Sequence, residues 1–119
     1  MTGVRQALGA WGERTAEAYL RVTGITVIDR NWRRREGEID LVAVDGETLV
    51  FCEVKTRRST AFGTGFEAVV GRKALRLRRL AAAWLQEHGG HGRRVRFDVV
   101  TVIPVRHGDP RIDHVKGAF

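Results

Sequence analysis

The sequence contains one cysteine, two prolines and one tyrosine, and no apolar run reaches 18 residues. The lone Cys52 excludes an intrachain disulfide and any cysteine-built zinc site, and it suits a reducing compartment. Without a long apolar run, no membrane-spanning helix is expected. The opening stretch MTGVRQALGAWGER has no apolar signal core, so a cytoplasmic protein with no membrane partner is expected. His88, His91, His107 and His114 lack a spacing that suits zinc. No repeat, linker or low-complexity tract divides the 119 residues, so a single domain over 1–119 is expected. Lysine is also scarce: among 21 basic residues only Lys55, Lys73 and Lys116 are lysine, and the rest are arginine.

What is present is a basic, core-forming composition. Hydrophobic residues make up 43% of the chain, enough for a packed interior and too many for wholesale disorder. Twenty-one basic against fourteen acidic residues give a net charge of +7 and a pI near 10.9. That balance favours a polyanionic partner such as nucleic acid. The arginine bias also fits genome composition, so charge alone does not decide.

Residues 4 to about 22 read as a helix, with Val4, Leu8, Trp11, Thr15, Ala18 and Val22 at helical spacing. A second stripe, Gly9, Gly12, Ala16 and Leu20, is small enough for close backbone approach, and Gly24 is a natural stop. Gly24–Arg30 (GITVIDR), Glu38–Val44 (EIDLVAV) and Glu47–Thr56 (ETLVFCEVKT) read as strands. Arg57–Gly65 (RRSTAFGTG) reads as a loop. A second helix runs from about Val69 to His88, with Val70, Ala74, Leu77, Ala81 and Trp84 on one face. Arg93–Val105 reads as a fourth strand, and Ile112–Phe119 as a short edge strand. This order places the chain in the α/β class, as a mixed β-sheet flanked by helices.

Chemistry concentrates on one hairpin. Asp45-Gly46 is a strong signal for a two-residue type I′ turn. That turn sets Val44 across from Glu47, Glu38 across from Glu53 and Asp40 across from Phe51. Alternation then sends Glu38, Asp40, Glu53 and Lys55 out of one face, with Asp40 and Glu53 diagonal neighbours roughly 7 Å apart. Two carboxylates about 5 Å apart repel by ~3 kcal/mol at an effective dielectric near 20. A raised carboxyl pKa or a bound divalent cation relieves that repulsion. Oxygen-only ligands suit Mg²⁺ or Mn²⁺, and Lys55 is placed to orient or deprotonate a water and to stabilise developing negative charge. Beside a basic surface, this outlines a phosphodiester-hydrolysis site. A solvated hairpin face fits the same spacing.

The residues also match a known family. Gly12-Glu13 with Ala16, Tyr19 and Leu20, Arg30-Asn31-Trp32-Arg33, and Gly37-Glu38-Ile39-Asp40-Leu41 resemble the YraN-like family of small bacterial proteins. Phe51 to Arg57 (FCEVKTR), Phe62-Gly63, Lys73, Arg96 to Val100 (RFDVV) and the terminal Ala118-Phe119 continue the likeness over nearly the whole chain. That family resembles the PD-(D/E)XK nuclease superfamily, close to archaeal Holliday junction resolvases. The resemblance implies a restriction-endonuclease-like fold, with Asp40 as the metal-binding aspartate and Glu53 and Lys55 as the Glu-x-Lys pair. It also implies that Glu13 is similar in position to the helix-borne glutamate of the resolvase branch, and that Lys73 lies near DNA or the site. Ile39 departs from the proline that precedes the aspartate in the superfamily pattern.

Several residues carry two readings. Glu13 faces either the metal or solvent, and Glu38 either supports the metal or pairs with Arg33, Arg34 or Arg35. Trp32 either anchors the core or stacks on a base. Arg33, Arg34, Arg35, Arg57, Arg58, Arg72, Lys73 and Arg76 either contact phosphates or form solvated faces. Cys52 reads as buried and inert, and Asp98 as the structural partner of an arginine. The leading expectation is a Mg²⁺- or Mn²⁺-dependent endonuclease-like protein acting on structured or branched DNA. Asp40, Glu53 and Glu13 would hold the cation and Lys55 would support the attacking water; symmetric junction cleavage would call for a homodimer. The alternatives are a non-catalytic nucleic-acid-binding module of the same fold, or a basic protein-interaction domain.

Overall fold

In the computed structural model, which describes residues 2–58, 71–90 and 92–119, a helix covers each face of a central sheet. The elements in chain order are α1 (Thr2–Val22), β1 (Thr26–Arg34), β2 (Gly37–Asp45), β3 (Thr48–Thr56), α2 (Arg72–His88), β4 (Arg94–Ile103) and β5 (Arg111–Val115). The strands form one sheet in the order β1-β2-β3-β4-β5. Only β3 and β4 run parallel, joined across α2, and the other pairs are antiparallel. The expected α/β class, a mixed sheet flanked by helices, therefore holds. Among the described residues, no helix is long and apolar enough to cross a membrane.

Both faces of the central strands are covered, which is why Phe97 through Ile103 read as one apolar run interrupted by Asp98 and Thr101. On one face, Leu77, Leu80, Ala81 and Trp84 of α2 pack on Trp32, Ile39, Val42, Leu49, Phe51 and Phe97. On the other, Ala16 and Leu20 of α1 pack on Leu41, Ala43, Val50, Cys52, Val100 and Val102. Cys52 is buried as expected. The terminal pair closes the first layer: the Ala118 N–H donates to the Phe97 carbonyl at 2.7 Å, and the Phe119 ring stacks on Phe97.

One expectation holds and three need correction. First, the small stripe of α1 makes the close approach expected of it: Gly12, Ala16 and Leu20 are buried while Val4, Ala18 and Val22 are exposed. The close approach has a visible cause, since a Cβ added at Gly12 would lie 1.9 Å from the Thr56 hydroxyl oxygen. Second, β1 starts later and runs further than expected, so Trp32, Arg33 and Arg34 are strand residues paired with β2. Third, the hairpin pairs Asp45 with Thr48 and Val44 with Leu49, two residues out from the expected register. The central positions are Gly46 and Glu47, with positive φ at Gly46 alone, the pattern of a type II′ turn rather than I′. Fourth, strict alternation breaks along β2, because Ile39 and Val42 pack in the same layer although three apart. Opposite this break, Asn31 of β1 has φ 48°, and β1 also carries a bulge between Val27 and Asp29. α2 is described from Arg72, so the expected start at Val69 and the face position of Val70, like most of the Arg57–Gly65 loop and His91, lie outside the described residues.

Candidate active site

The site forms where β2 and β3 part at one end of the sheet. Their ladder ends at Leu41↔Cys52. One step further, the Val54 N–H donates at 2.8 Å to Asp40 Oδ2 instead of to a strand carbonyl. The two-residue register shift keeps Asp40 and Glu53 on the side expected of them but carries them from diagonal to directly facing positions. The expected convergence of acids is therefore tighter than the turn signal implies.

Asp40 is the buried centre of the group, only 9% exposed. Carboxylate oxygens of Glu13 on α1, and of Glu38 and Asp40 on β2, all lie within 4.8 Å of one another. Glu53 is not in that trio, but it lines the same cleft as Glu38 and Asp40. Gly37, Lys73, Arg76, Leu77 and Leu80 complete this cleft of about 170 Å³. Glu13 is held in place by Asn31, whose side-chain amide donates to Glu13 Oε1 at 2.7 Å. The left-handed backbone at Asn31 brings that amide across to α1, a conformation asparagine tolerates better than most residues.

Burial, then the neighbouring Glu53 charge, pushes the Asp40 carboxyl up to about 9, against the Val54 N–H bond that opposes the rise. Asp40 thus keeps its proton at neutral pH and shares it in a hydrogen bond with Glu38. Burial alone would raise Glu38, but hydrogen bonds from Arg33 and Asp40 outweigh it and hold that carboxyl low.

Glu53 instead faces two ammonium groups. Lys55 Nζ and Lys73 Nζ each lie 3.2 Å from Glu53 Oε1, one from the same strand and one from α2. Burial, aided by the adjacent Lys73 ammonium, holds Lys55 below the usual lysine range. In Lys73 burial acts in the same downward direction, but its bonds to Lys55 and Glu53 prevail and raise it. Lys55 is consequently the lysine more ready to give up a proton. It also borders a second opening between α1 and β3, lined by Leu8, Gly9, Glu13, Val54 and Thr56.

The donor set fits a hard divalent cation. Four carboxylates, one deeply buried and three bordering open clefts, offer oxygen ligands only, as Mg²⁺ and Mn²⁺ prefer. Glu38, read from the sequence as either a support for the metal or an arginine partner, lies in the acid cluster and also pairs with Arg33. Asn31 and the inward reach of Lys73 have no local signal at all.

The arginines divide into two groups. Arg33 pairs with Glu38, and Arg34 pairs with Glu87 while stacking 4.1 Å above Trp32. Trp32 itself is a core residue, 7% exposed. Arg35, Arg58, Arg72 and Arg76 are exposed. The Arg57 N–H donates to the Val102 carbonyl, and its buried Nε has no partner among the described residues. Asp98 pairs with an arginine as expected: Arg96 grips it at 2.8 and 2.9 Å, and His114 and the Gly117 N–H complete its shell.

The sequence pattern of the uncharacterised protein family UPF0102 matches residues 12–102, the stretch that holds Glu13, Asp40, Glu53, Lys55 and Lys73. A UPF0102 protein of Frankia casuarinae is 56% identical over 97% of this chain and 98% of its own length. A UPF0102 protein of Beutenbergia cavernae is 57% identical over 95% of this chain and 96% of its own. One from Rhodococcus opacus is 54% identical over 95% and 96%. The YraN-like resemblance read from the motifs points to this same family.

Proposed function

We propose that this chain, which belongs to the UPF0102 family, is a divalent-cation-dependent phosphodiester hydrolase acting on nucleic acid, with structured or branched DNA as its substrate. The supporting observation is the meeting of Glu13, Glu38 and Asp40 within 4.8 Å, beside the Glu53–Lys55 pair. Asp40 and Glu53, with Glu13 and Glu38 alongside, would hold Mg²⁺ or Mn²⁺. When bound, such an ion supplies positive charge at the phosphate and acidifies water.

The chain's own residues account for the rest. Lys55, desolvated and beside Glu53, orients the attacking water and offers a positive partner for charge developing on the phosphate. Asn31 fixes Glu13 toward the cluster. The Val54 N–H fixes one Asp40 oxygen and leaves the other to face the acids. Surface arginines hold the backbone through sequence-blind phosphate contacts. Symmetric cleavage of a junction would pair two copies of the chain, which sedimentation with and without a junction oligonucleotide would register.

One observation favours a second reading, a binding module of the same fold without turnover. Glu53 already faces two ammonium groups, so its charge is offset without a cation. A panel of labelled branched, nicked, duplex and single-stranded oligonucleotides with Mg²⁺ or Mn²⁺ separates the two. Cleavage that disappears in Asp40→Asn and Lys55→Ala, with binding retained in EDTA, supports the hydrolase. Binding without cleavage under either cation supports the module, and no binding at low salt leaves a basic protein-interaction domain.

A further inference from the structure

We infer that a nucleic-acid strand lies along the outward face of α2, its phosphates held by Arg72, Arg76 and Arg79, and that it enters the acidic cleft past Arg76. The inference rests on the reading above and adds a path to it. A surface groove of about 240 Å³ is lined by Glu36, Arg72, Leu75, Arg76 and Arg79. Arg76 lines both this groove and the acidic cleft that contains Asp40 and Glu53, so the two openings adjoin at that side chain.

Among the described residues, the charges in the groove are not drawn into ion pairs. Arg21, Arg30, Arg33, Arg34 and Arg96 are all tied to carboxylates. Arg72, Arg76 and Arg79 have no ion-pair partner among the described residues. A single carboxylate, Glu36, stands among the five lining side chains, leaving the groove cationic. The spacing fits a strand. Arg72 to Arg79 spans two helical turns, roughly 10 Å at 1.5 Å per residue, and one strand of duplex carries a charge every ~3.4 Å of axis. Leu75, 51% exposed between the arginines, gives sugars or base faces an apolar contact. A phosphodiester chain satisfies both the cations and this apolar strip. An acidic peptide satisfies mainly the cations.

The path is separable from the chemistry because Arg72 and Arg79 do not line the acidic cleft. The test is fluorescence anisotropy in EDTA with labelled duplex and single-stranded oligonucleotides across a salt series. It compares wild type with Arg72→Gln/Arg79→Gln and Arg72→Lys/Arg79→Lys, and uses Arg21→Gln as control. The glutamine pair is expected to weaken binding roughly tenfold or more and to lower the salt slope by about two. The lysine pair and Arg21→Gln are expected to stay near the wild-type slope, and circular dichroism melts confirm folding throughout. If wild type binds well and the glutamine pair matches it in affinity and slope, the path is wrong while the nucleic-acid reading stands. If wild type binds no oligonucleotide at low salt, the underlying reading itself fails. If polyglutamate of matched charge binds as tightly and suffers the same loss, the groove serves an acidic protein and the inference is overturned.

Discussion

The Lys73 ammonium on α2 stands 3.2 Å from Glu53 Oε1 on β3, the same oxygen that Lys55 approaches to 3.2 Å. A cation joining the acids must share Glu53 with these two charges or displace one of them. Lys73 is therefore both a tether between α2 and the sheet and a competitor for the ligand oxygen.

Replacing Lys73 with Met removes the competitor and keeps the stem. The Mn²⁺ concentration giving half-maximal thermal stabilisation is expected to fall about fivefold, corresponding to ~1 kcal/mol. An unchanged or raised concentration would show that Lys73 does not oppose the cation.

In EDTA, Asp40 makes the fold weaker as pH rises. Its folded carboxyl keeps a proton up to about 9, whereas an unfolded aspartate loses it near 3.8. The unfolded state therefore binds fewer protons through that window, and stability declines from about pH 4 toward pH 9. Asp40→Asn, which keeps an oxygen for the Val54 N–H, is expected to match wild type at pH 4 and exceed it by about 2 kcal/mol at pH 8. Urea unfolding at the two pH values measures this, and a variant less stable than wild type at pH 8 contradicts it.

The hairpin and α1 illustrate how far local pattern reaches. Asp40 and Glu53 were legible because each keeps period-two step with Val42 and Phe51 on its own strand, and a register shift of two, being even, leaves the two strands' faces matched. The shift itself was not legible, since Asp45-Gly46 suits a type I′ turn while the chain places positive φ at Gly46 alone. On α1 the small stripe was legible as the side for close approach, and at Gly12 β3 leaves no room for a Cβ. The Glu53–Lys73 and Glu13–Asn31 contacts join residues 20 and 18 apart in sequence. They depend on where α2 and the β1 irregularity fall in three dimensions, and periodicity contains no such information.

Gly12→Ala tests the helix-to-sheet approach. A Cβ at 1.9 Å from the Thr56 Oγ1 and 3.1 Å from its Cβ forces α1 outward, at a cost of about 1–3 kcal/mol. Thr56→Ala in the same chain is expected to recover part of that loss in a double-mutant cycle. Additive effects would place the strain elsewhere.

Asp98 gives the opposite pH signature to Asp40. Burial would raise it, but hydrogen bonds from His114, Arg96 and the Gly117 N–H prevail and hold it below the usual carboxylate range. Its contribution is therefore present above the unfolded pKa and lost as pH falls through the lower folded value. Asp98→Asn, which leaves Arg96 partly unpaired, is expected to cost about 2–4 kcal/mol at pH 7. By chemical denaturation that deficit should shrink below pH 4, and a constant deficit would refute the assignment.

Calorimetric titration of Mn²⁺ into the protein at pH 8 bears most directly on whether the acids around Asp40 form a cation site. Wild type should give saturable heat with proton release, and Asp40→Asn should lose most of it while remaining folded. Absence of heat in wild type, or an identical isotherm from Asp40→Asn, would contradict the account.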